Sequence, residues 1–224
     1  MKRYLFMNAS ILLILLSAFF SCHTAQVKNE QHIKYAESLP ISTIYDKNEN
    51  IDSIIQYTRI TKKVKELNQF IKGKDEYNST VFFLIDMRIR SNYKRFFVYD
   101  NMQKKIINEG LVAHGVGSET DEIDSLYFCN TPNSNCSSLG KYKIGYSYTG
   151  QFGKSYKLYG LDKTNDKAFD RAVVLHKHKS VPDAEQNYPI VLSLGCPMVS
   201  ASFYSKLEKI LDTSDKNVLM WIYY

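Results

Sequence analysis

Two stretches decide how this chain folds and where its chemistry lies: residues 171–176 (RAVVLH) and residues 193–197 (SLGCP). Apolar runs of the kind that form buried strands make up or precede both stretches. The first stretch ends in His176, and the second holds Cys196 in a turn beside Gly195. Because residues with chemical roles collect where strands give way to loops, His176 and Cys196 are the first candidates for a functional site.

The residue types of this pair are those of a nucleophile and its base. A free cysteine has a pKa of about 8.5 and is mostly protonated at neutral pH, so a catalytic thiol needs a nearby imidazole to ionise it. We therefore expect His176 to hold the sulfur of Cys196 as a thiolate. Gly195 lets the backbone approach a substrate carbonyl, and N–H groups in such a turn can stabilise an oxyanion. The alternative is structural, with Cys196 as an apolar filler and His176 as a hydrogen-bonded core residue.

The rest of the chain predicts a mostly β fold. Aromatic residues make up 13% of the sequence, which is typical of β-rich packing. Apolar segments between turn residues predict strands at 81–87, 95–99, 105–113, 141–144, 156–161, 171–175 and 218–223. A helix is predicted to begin near Ser200, and an N-terminal helix is indicated by apolar residues at helical spacing: Ile51, Ile54, Ile55, Val64, Leu67 and Ile71. Because short strands outnumber helices, we expect a β-sandwich or barrel with a few helices and an N-terminal helical extension.

Several pieces of the sequence, taken in order, resemble one protein family. They are residues 111–118 (LVAHGVGS), 137–142 (SSLGKY), 159–161 (YGL) with Asn165 and Arg171, 174–176 (VLH) and 193–197 (SLGCP). Together they resemble the catalytic domain of the L,D-transpeptidases (YkuD-like), cysteine enzymes that cross-link bacterial peptidoglycan, and most closely the branch with a Gly-Cys-Pro motif. The resemblance covers about residues 81–224 and implies the same β-sandwich or barrel.

By this resemblance Cys196 is the nucleophile and His176 the base, while Ser193, Leu194 and Gly195 shape the site. Residues that could contact the substrate are His114, Tyr142, Arg171 and His178. The implied reaction is acyl transfer: the thiolate attacks the carbonyl of the third residue of a peptidoglycan stem peptide, releases the terminal D-alanine and forms a thioester. An amine acceptor makes the protein a transpeptidase, and water makes it a carboxypeptidase. Neither a metal nor an organic cofactor is required.

Two features leave other functions open. Lys177 follows the histidine where family members usually carry glycine, so a lipoprotein that keeps the fold and binds cell-wall peptides without turnover is one alternative. His176 and His178 would also lie on one face of an extended strand, so either could approach the thiol. We prefer His176 as the base, because it directly follows the apolar run at 173–175. With Cys196 the two histidines could supply three ligands of a zinc site with an open fourth position. We assign no metal, because no fourth ligand or general-base carboxylate stands out nearby.

The N-terminus has the pattern of a bacterial secretion signal. A positively charged start and an apolar run at 11–20 precede Ser21 and Cys22. At about ten residues this run is shorter than the roughly 20 that a transmembrane helix needs. The cysteine resembles a lipoprotein processing site, so we expect an exported, periplasmic protein that a lipid on Cys22 anchors to a membrane. Cleavage near Ala25 would instead release a soluble periplasmic protein.

These segments predict three parts: a signal peptide at 1–21, a tether with an amphipathic helix at 22–76, and a catalytic domain at 77–224. The formal net charge of +6 suits a protein that works near anionic cell-wall peptides. The sequence contains no nucleic-acid-binding motif. The expected partners are therefore peptidoglycan stem peptides and, through Cys22, a membrane.

The two remaining cysteines, Cys129 and Cys136, flank a loop rich in Pro and Asn that can turn back on itself. In an oxidising periplasm they would form a disulfide and leave Cys196 as the unpaired, reactive thiol. The alternative is a pair of free loop thiols.

Overall fold

The computed structural model describes residues 51–122 and 124–224. The helices of this part are α1 (Ile51–Ile71) and α2 (Ala201–Thr213), and a short 3₁₀ turn covers Val116–Ser118. The strands are β1 (Tyr77–Asp86), β2 (Phe96–Asp100), β3 (Lys105–Gly110), β4 (Val112–Ala113), β5 (Gly140–Gly150), β6 (Gly153–Gly160), β7 (Val174–Lys177), β8 (Met198–Val199) and β9 (Asn217–Tyr223). The predicted mostly β fold with a few helices and an N-terminal helix is confirmed. The signal sequence, Cys22 and the tether up to residue 50 lie outside the described residues.

The strands of the described residues belong to one hydrogen-bonded sheet in the order β3-β2-β1-β9-β5-β6-β7-β8-β4. β1 pairs with β9, and β7 with β8, in parallel. All other neighbours in this order are antiparallel. The two stretches singled out in the sequence form β7 and the turn before β8, near one end of the order.

The faces of the sheet are buried by different partners. Because side chains alternate along a strand, Phe83 in β1 faces one apolar core and Phe82 faces another. The larger core draws on most of the strands and is closed by α2, whereas α1 closes the smaller one. α2 begins where predicted, because Ser200 caps it: its hydroxyl accepts a hydrogen bond from the N–H of Phe203 at 3.2 Å.

The buried stripe of α1 differs from the predicted one. Ile60, Val64 and Leu67 are buried, and their spacing of three and four residues puts them on one helix face. Ile54 and Ile55, which were included in the predicted stripe, are 40% and 47% exposed. The apolar face that packs on the sheet therefore begins about two turns later than expected. No helix within the described residues is both long and apolar enough to cross a membrane.

Strand boundaries near the site differ from the prediction. The strand predicted at 171–175 begins only at Val174 and runs to Lys177. The predicted strand at 105–113 is split at Leu111, because β3 pairs with β2 whereas β4 leaves it to pair with β8. The apolar run at 190–192 forms no strand; instead Ser193 makes an isolated parallel bridge with Gly115. The chain on either side of Gly115 thereby comes to lie against the turn that precedes β8.

Candidate active site

The parallel pairing of β7 with β8 brings the two candidate residues together. His176 lies opposite Met198, and its backbone N–H donates to the carbonyl of Pro197 at 3.4 Å. Cys196 comes directly before Pro197, so the candidate nucleophile lies in the turn that leads into β8, beside the end of β7. The sequence predicted only that the two residues would lie near each other. The pairing of β7 with β8 sets which of their residues lie opposite one another.

The turn before Cys196 is fixed by Ser193 and Gly195. Ser193 Oγ donates to the carbonyl of Cys196 at 2.7 Å and accepts from the N–H of Gly195 at 3.2 Å. Gly195 has a φ of +110°, and a Cβ at this position would lie 2.9 Å from the carbonyl oxygen of Cys136. Both the conformation and the close approach require glycine. Leu194 is 75% exposed, so an apolar side chain borders the nucleophile on the solvent side.

The thiol of Cys196 has backbone partners. Its sulfur accepts a hydrogen bond from the N–H of Val174 at 3.4 Å and lies 3.9 Å from the carbonyl oxygen of Ala172. Burial raises the pKa of this thiol, and the Val174 N–H and the positive charges of Arg171 and Lys157 offset the rise only in part. The resting thiol is therefore neutral at physiological pH.

The imidazole of His176 is buried and held in one orientation. Its Nδ1 lies 3.1 Å from the carbonyl oxygen of Lys177, so Nδ1 carries the proton and Nε2 is left as the basic nitrogen. Phe152, in the turn between β5 and β6, stacks on the ring with the centroids 4.2 Å apart. Burial lowers the pKa of His176; the Lys177 carbonyl opposes this shift and His178 adds to it. The ring is therefore a neutral base at neutral pH.

Lys177 supplies the carbonyl that orients the ring, although it stands where the resemblance leads one to expect glycine. It is an ordinary residue of β7 and is not among the residues with positive φ, so the backbone requires no glycine there. Its ammonium group lies 5.7 Å from the ring centroid of Tyr204, away from the imidazole that its carbonyl holds.

The thiol and the imidazole are not hydrogen-bonded to each other. The sulfur contacts Val174 and Ala172, while the ring contacts Lys177. A resting thiolate needs a lowered thiol pKa and a protonated imidazole, and burial shifts both groups in the opposite direction. Both shifts run against the expectation that His176 keeps Cys196 deprotonated, and that expectation stays a prediction. The pair is one of neutral thiol and neutral base.

Arg171 is committed to the scaffold rather than to a ligand. Its guanidinium donates to the carbonyls of Cys129 (3.2 Å) and Cys136 (2.7 Å) and to the hydroxyl of Ser138. The Cys136 carbonyl is the group that a Cβ on Gly195 would approach. Arg171 thus ties the loop at 129–138 to the nucleophile turn, and its contact with a substrate stays a prediction.

His114 and Tyr142 are also buried, so their predicted contact with substrate is wrong. Tyr142 is fully buried, and its hydroxyl donates to the carbonyl of Ser138 at 2.7 Å. His114 is 4% exposed, and its two ring nitrogens are taken by Arg95 and Glu119. In both cases the side chain points into the protein.

The match to a known family decides the identity of the domain. A family model described as the L,D-transpeptidase catalytic domain matches residues 52–223. The chain belongs to this family. The matched range includes α1, the whole sheet, and both Cys196 and His176. No protein with a curated description matches the chain.

Solved structures similar to this L,D-transpeptidase domain share little sequence with it. An L,D-transpeptidase from Xylanimonas cellulosilytica is 15% identical over 64% of this chain and 60% of that chain, with a TM-score of 0.35. The helical cell shape determining protein Pgp2 from Campylobacter jejuni is 12% identical over 64% and 47%, with a TM-score of 0.40. L,D-transpeptidase 3 from Mycobacterium tuberculosis, in complex with a faropenem-derived adduct, is 11% identical over 65% and 60%, with a TM-score of 0.35. The chain spans about half to three-fifths of the length of such structures.

His178 lies beside the candidate pair in this L,D-transpeptidase domain. Its Nδ1 accepts from the N–H of Ser180 at 3.2 Å, and its ring meets that of Phe152 edge-on with the centroids 6.2 Å apart. Within residues 51–122 and 124–224, no three His, Cys, Asp or Glu side chains converge as metal ligands. The zinc site considered from His176, His178 and Cys196 gains no support from this side-chain geometry.

Cys129 and Cys136 are present as thiols. The Cys129 thiol donates to Ser134 Oγ at 3.1 Å, and the Cys136 thiol donates to the carbonyl of Gly117 at 3.1 Å. The two thiols are near enough for each to shift the pKa of the other. Burial opposes ionisation of Cys129, but hydrogen bonds with Cys136 and Ser134 outweigh it and lower its pKa to about 7. Disulfide exchange would therefore start at Cys129, and the bridge stays a prediction.

Proposed function

We propose that this protein is a cysteine acyltransferase that acts on peptidoglycan stem peptides through a thioester on Cys196. The observation that carries the proposal is the β7–β8 pairing, which sets Cys196 beside a buried, neutral imidazole anchored by the Lys177 carbonyl. The sequence at 195–197 supports the branch with a Gly-Cys-Pro motif. Nucleophile, base and a glycine-containing turn are the parts that acyl transfer needs.

The first half-reaction begins from the neutral pair. Nε2 of His176 takes the proton of the Cys196 thiol as the sulfur attacks the carbonyl carbon of the third residue of the stem peptide. The carbon–nitrogen bond to the terminal D-alanine then breaks, and the imidazolium gives its proton to the leaving amine. The products of this step are free D-alanine and a thioester on Cys196.

The second half-reaction restores the thiol. An amine from a neighbouring stem peptide attacks the thioester carbonyl and gives its proton to Nε2 of His176. The carbon–sulfur bond breaks, and the sulfur takes the proton back from the imidazolium. With an amine acceptor the result is a cross-link, and with water it is a trimmed tripeptide.

Backbone N–H groups of the nucleophile turn would hold the oxyanion of each tetrahedral intermediate. The N–H of Gly195 is taken by Ser193 Oγ, whereas those of Leu194 and Cys196 donate no hydrogen bond within the described residues. Loss of one oxyanion donor typically costs about 10²–10³ in rate. We therefore assign the oxyanion site to the N–H groups of Leu194 and Cys196.

The same proposal places the domain outside the cytoplasm, where its substrate is. Peptidoglycan lies in the periplasm or at the cell surface, and the N-terminal pattern with Cys22 supports export and a lipid anchor. A tether between the anchor and α1 would let the domain reach stem peptides from the membrane surface.

The experiment uses faropenem, which forms an adduct in the M. tuberculosis protein named above. Purified full-length protein and its Cys196→Ala variant are incubated with the penem, and intact mass and peptide mapping locate any adduct. We expect one acyl adduct on the peptide that holds Cys196 and none in the variant. Cys129 and Cys136 serve as internal controls, because both remain in the variant.

A second function is favoured by one observation, the missing hydrogen bond between the thiol and His176. A protein that binds stem peptides without turnover would leave the thiol unacylated. No adduct on Cys196, together with saturable binding of a tetrapeptide stem, would establish that binder and sink the acyltransferase proposal.

A further inference from the structure

Three polar side chains behind the nucleophile turn form a connected row and have no part in the mechanism above: Arg95, His114 and Glu119. Arg95 is 1% exposed and His114 4% exposed, whereas the Glu119 side chain is 51% exposed. One guanidinium nitrogen of Arg95 lies 2.8 Å from Nδ1 of His114, and Nε2 of His114 contacts a carboxylate oxygen of Glu119. This row of side chains therefore runs from the protein interior to its surface.

The direction of these hydrogen bonds follows from the groups themselves. A guanidinium has only donors, so Nδ1 of His114 must accept from Arg95 and Nε2 must carry the proton that Glu119 accepts. A second proton on the ring would face the guanidinium. Burial and the charge of Arg95 lower the pKa of His114, and Glu119 opposes this shift. The neutral ring thus has one fixed tautomer.

Arg95 also holds the backbone around this ring. Its guanidinium donates to the carbonyl of Val112 at 2.8 and 3.0 Å and to that of Ile89 at 3.1 Å. Burial lowers the pKa of Arg95 to about 9, against the opposing charges of Asp86 and Glu119. A buried cation of this kind costs free energy that a purely apolar side chain would not.

The backbone that carries His114 is bonded to the nucleophile turn. The N–H of Ser193 donates to the carbonyl of His114 at 2.9 Å, and the N–H of Val116 donates to the carbonyl of Ser193 at 2.8 Å. Gly115 and Ser193 form the parallel bridge between these bonds. Ser193 in turn holds the Cys196 carbonyl through its hydroxyl.

We propose that Arg95, His114 and Glu119 form a positioning unit for Cys196. By holding the His114 ring from both sides, they fix the backbone at 114–116, which is hydrogen-bonded to Ser193. Ser193 in turn fixes the position of Cys196. None of the three touches a reacting atom. The catalytic consequence rests on the proposed acyl transfer, whereas the structural coupling can be tested without it.

The test compares Glu119→Ala with Glu119→Gln, since Gln keeps an acceptor for Nε2–H of His114 and Ala does not. Glu119 is half exposed, so both variants should fold. Glu122→Ala is the matched control, because the Glu122 side chain makes no hydrogen bond or ion pair to the described part of the chain. Amide hydrogen exchange is measured at Ser193 and Val116, and faropenem acylation is resolved into its saturation constant and limiting rate.

In Glu119→Ala we expect exchange at both amides to rise about tenfold and the limiting acylation rate to fall about tenfold, with the saturation constant unchanged. Glu119→Gln and Glu122→Ala should stay near the wild type. Unchanged exchange at Ser193 and Val116 in Glu119→Ala would overturn the coupling, and faster exchange with an unchanged acylation rate would overturn its catalytic role. If the wild type itself is not acylated, the proposed function fails, and the exchange result still decides the coupling.

Discussion

The backbone N–H of His176 donates to the carbonyl of Pro197, so the base and the nucleophile are fixed on adjacent parallel strands. Their side chains meet different partners at rest: the thiol has the N–H of Val174, and the ring has the carbonyl of Lys177. The strand register thus places the thiol near the imidazole. In the proposed reaction the proton moves from the thiol to His176 only as the sulfur attacks the substrate.

Replacing His176 with Gln should lower acylation by faropenem at neutral pH by about 10²–10⁴, the usual value of a general base. The folded-state pKa of His176 lies below its ordinary value of about 6.5, so the base is neutral at pH 7 and the wild-type rate should fall only at more acid pH. The thiol pKa is raised, so the His176→Gln rate should increase with pH into the alkaline range. A pH–rate profile of both proteins checks this.

The resting state is open to a direct check by ultraviolet absorbance of the thiolate. The wild type should show no Cys196 thiolate at neutral pH, with Cys196→Ala as the reference for the other cysteines. A thiolate signal at pH 6 that disappears in His176→Gln would mean a preformed ion pair and would contradict the neutral pair.

Gly195→Ala should lose acylation and stability together. The new Cβ would lie 2.9 Å from the Cys136 carbonyl in a φ of +110°, and such strain costs on the order of 1–3 kcal/mol. Gly73→Ala is the control, because Gly73 also has a positive φ of +75° but no atom within 4 Å of the added Cβ. Thermal unfolding and acylation of the two variants separate the steric clash with Cys136 from the strain of placing alanine at a positive φ. Equal losses in both would show that the close approach to Cys136 is unimportant.

Helix α1 should be part of the folding unit, although the predicted catalytic domain began at residue 77. Leu67 is fully buried on the smaller core, so Leu67→Ala should destabilise the protein by about 2–5 kcal/mol. Lys65→Ala, on the exposed face of the same helix, should change little. Denaturant unfolding measures both. If a fragment of residues 77–224 folds with full stability, the catalytic domain begins at residue 77 as predicted and α1 is not part of the folding unit.

Cys129 and Cys136 should form a disulfide when the protein is isolated from an oxidising compartment. Alkylation before and after reduction, followed by peptide mass mapping, should show this pair linked and Cys196 free. The proximity of the two thiols, each of which shifts the pKa of the other, and the lowered pKa of Cys129 favour the bridge. A mixed disulfide that includes Cys196, or no linkage after export, would count against it.

Local signals in the sequence predicted much of the fold. Apolar runs located the strands, Ser200 located the start of α2, and residues 174–176 and 193–197 located the site, because each of these depends on neighbours along the chain. The stripe of α1 was misplaced because Ile54 and Ile55 lie six and five residues before Ile60, offsets that put them on other faces of the helix than the buried one.

The surroundings of Tyr142 and Arg171 depend on strand register and on contacts between distant segments, which no local sequence pattern predicts. Tyr142 faces inward because it pairs with Met220 across β5 and β9, and Arg171 is drawn to the carbonyls of a loop distant in sequence. Phe152, which stacks on His176, was missed altogether. Its position between Gly150 and Gly153 marks a hairpin turn, and that turn was the available signal.

If the proposed acyl transfer takes place, Cys196 becomes acylated by a stem peptide. The direct measurement mixes the full-length protein with a disaccharide-tetrapeptide and follows intact mass and free D-alanine together. We expect a tripeptide-acyl adduct mapped to Cys196, with one D-alanine released for each adduct, and neither product with Cys196→Ala. Release of D-alanine that is undiminished in Cys196→Ala would contradict it.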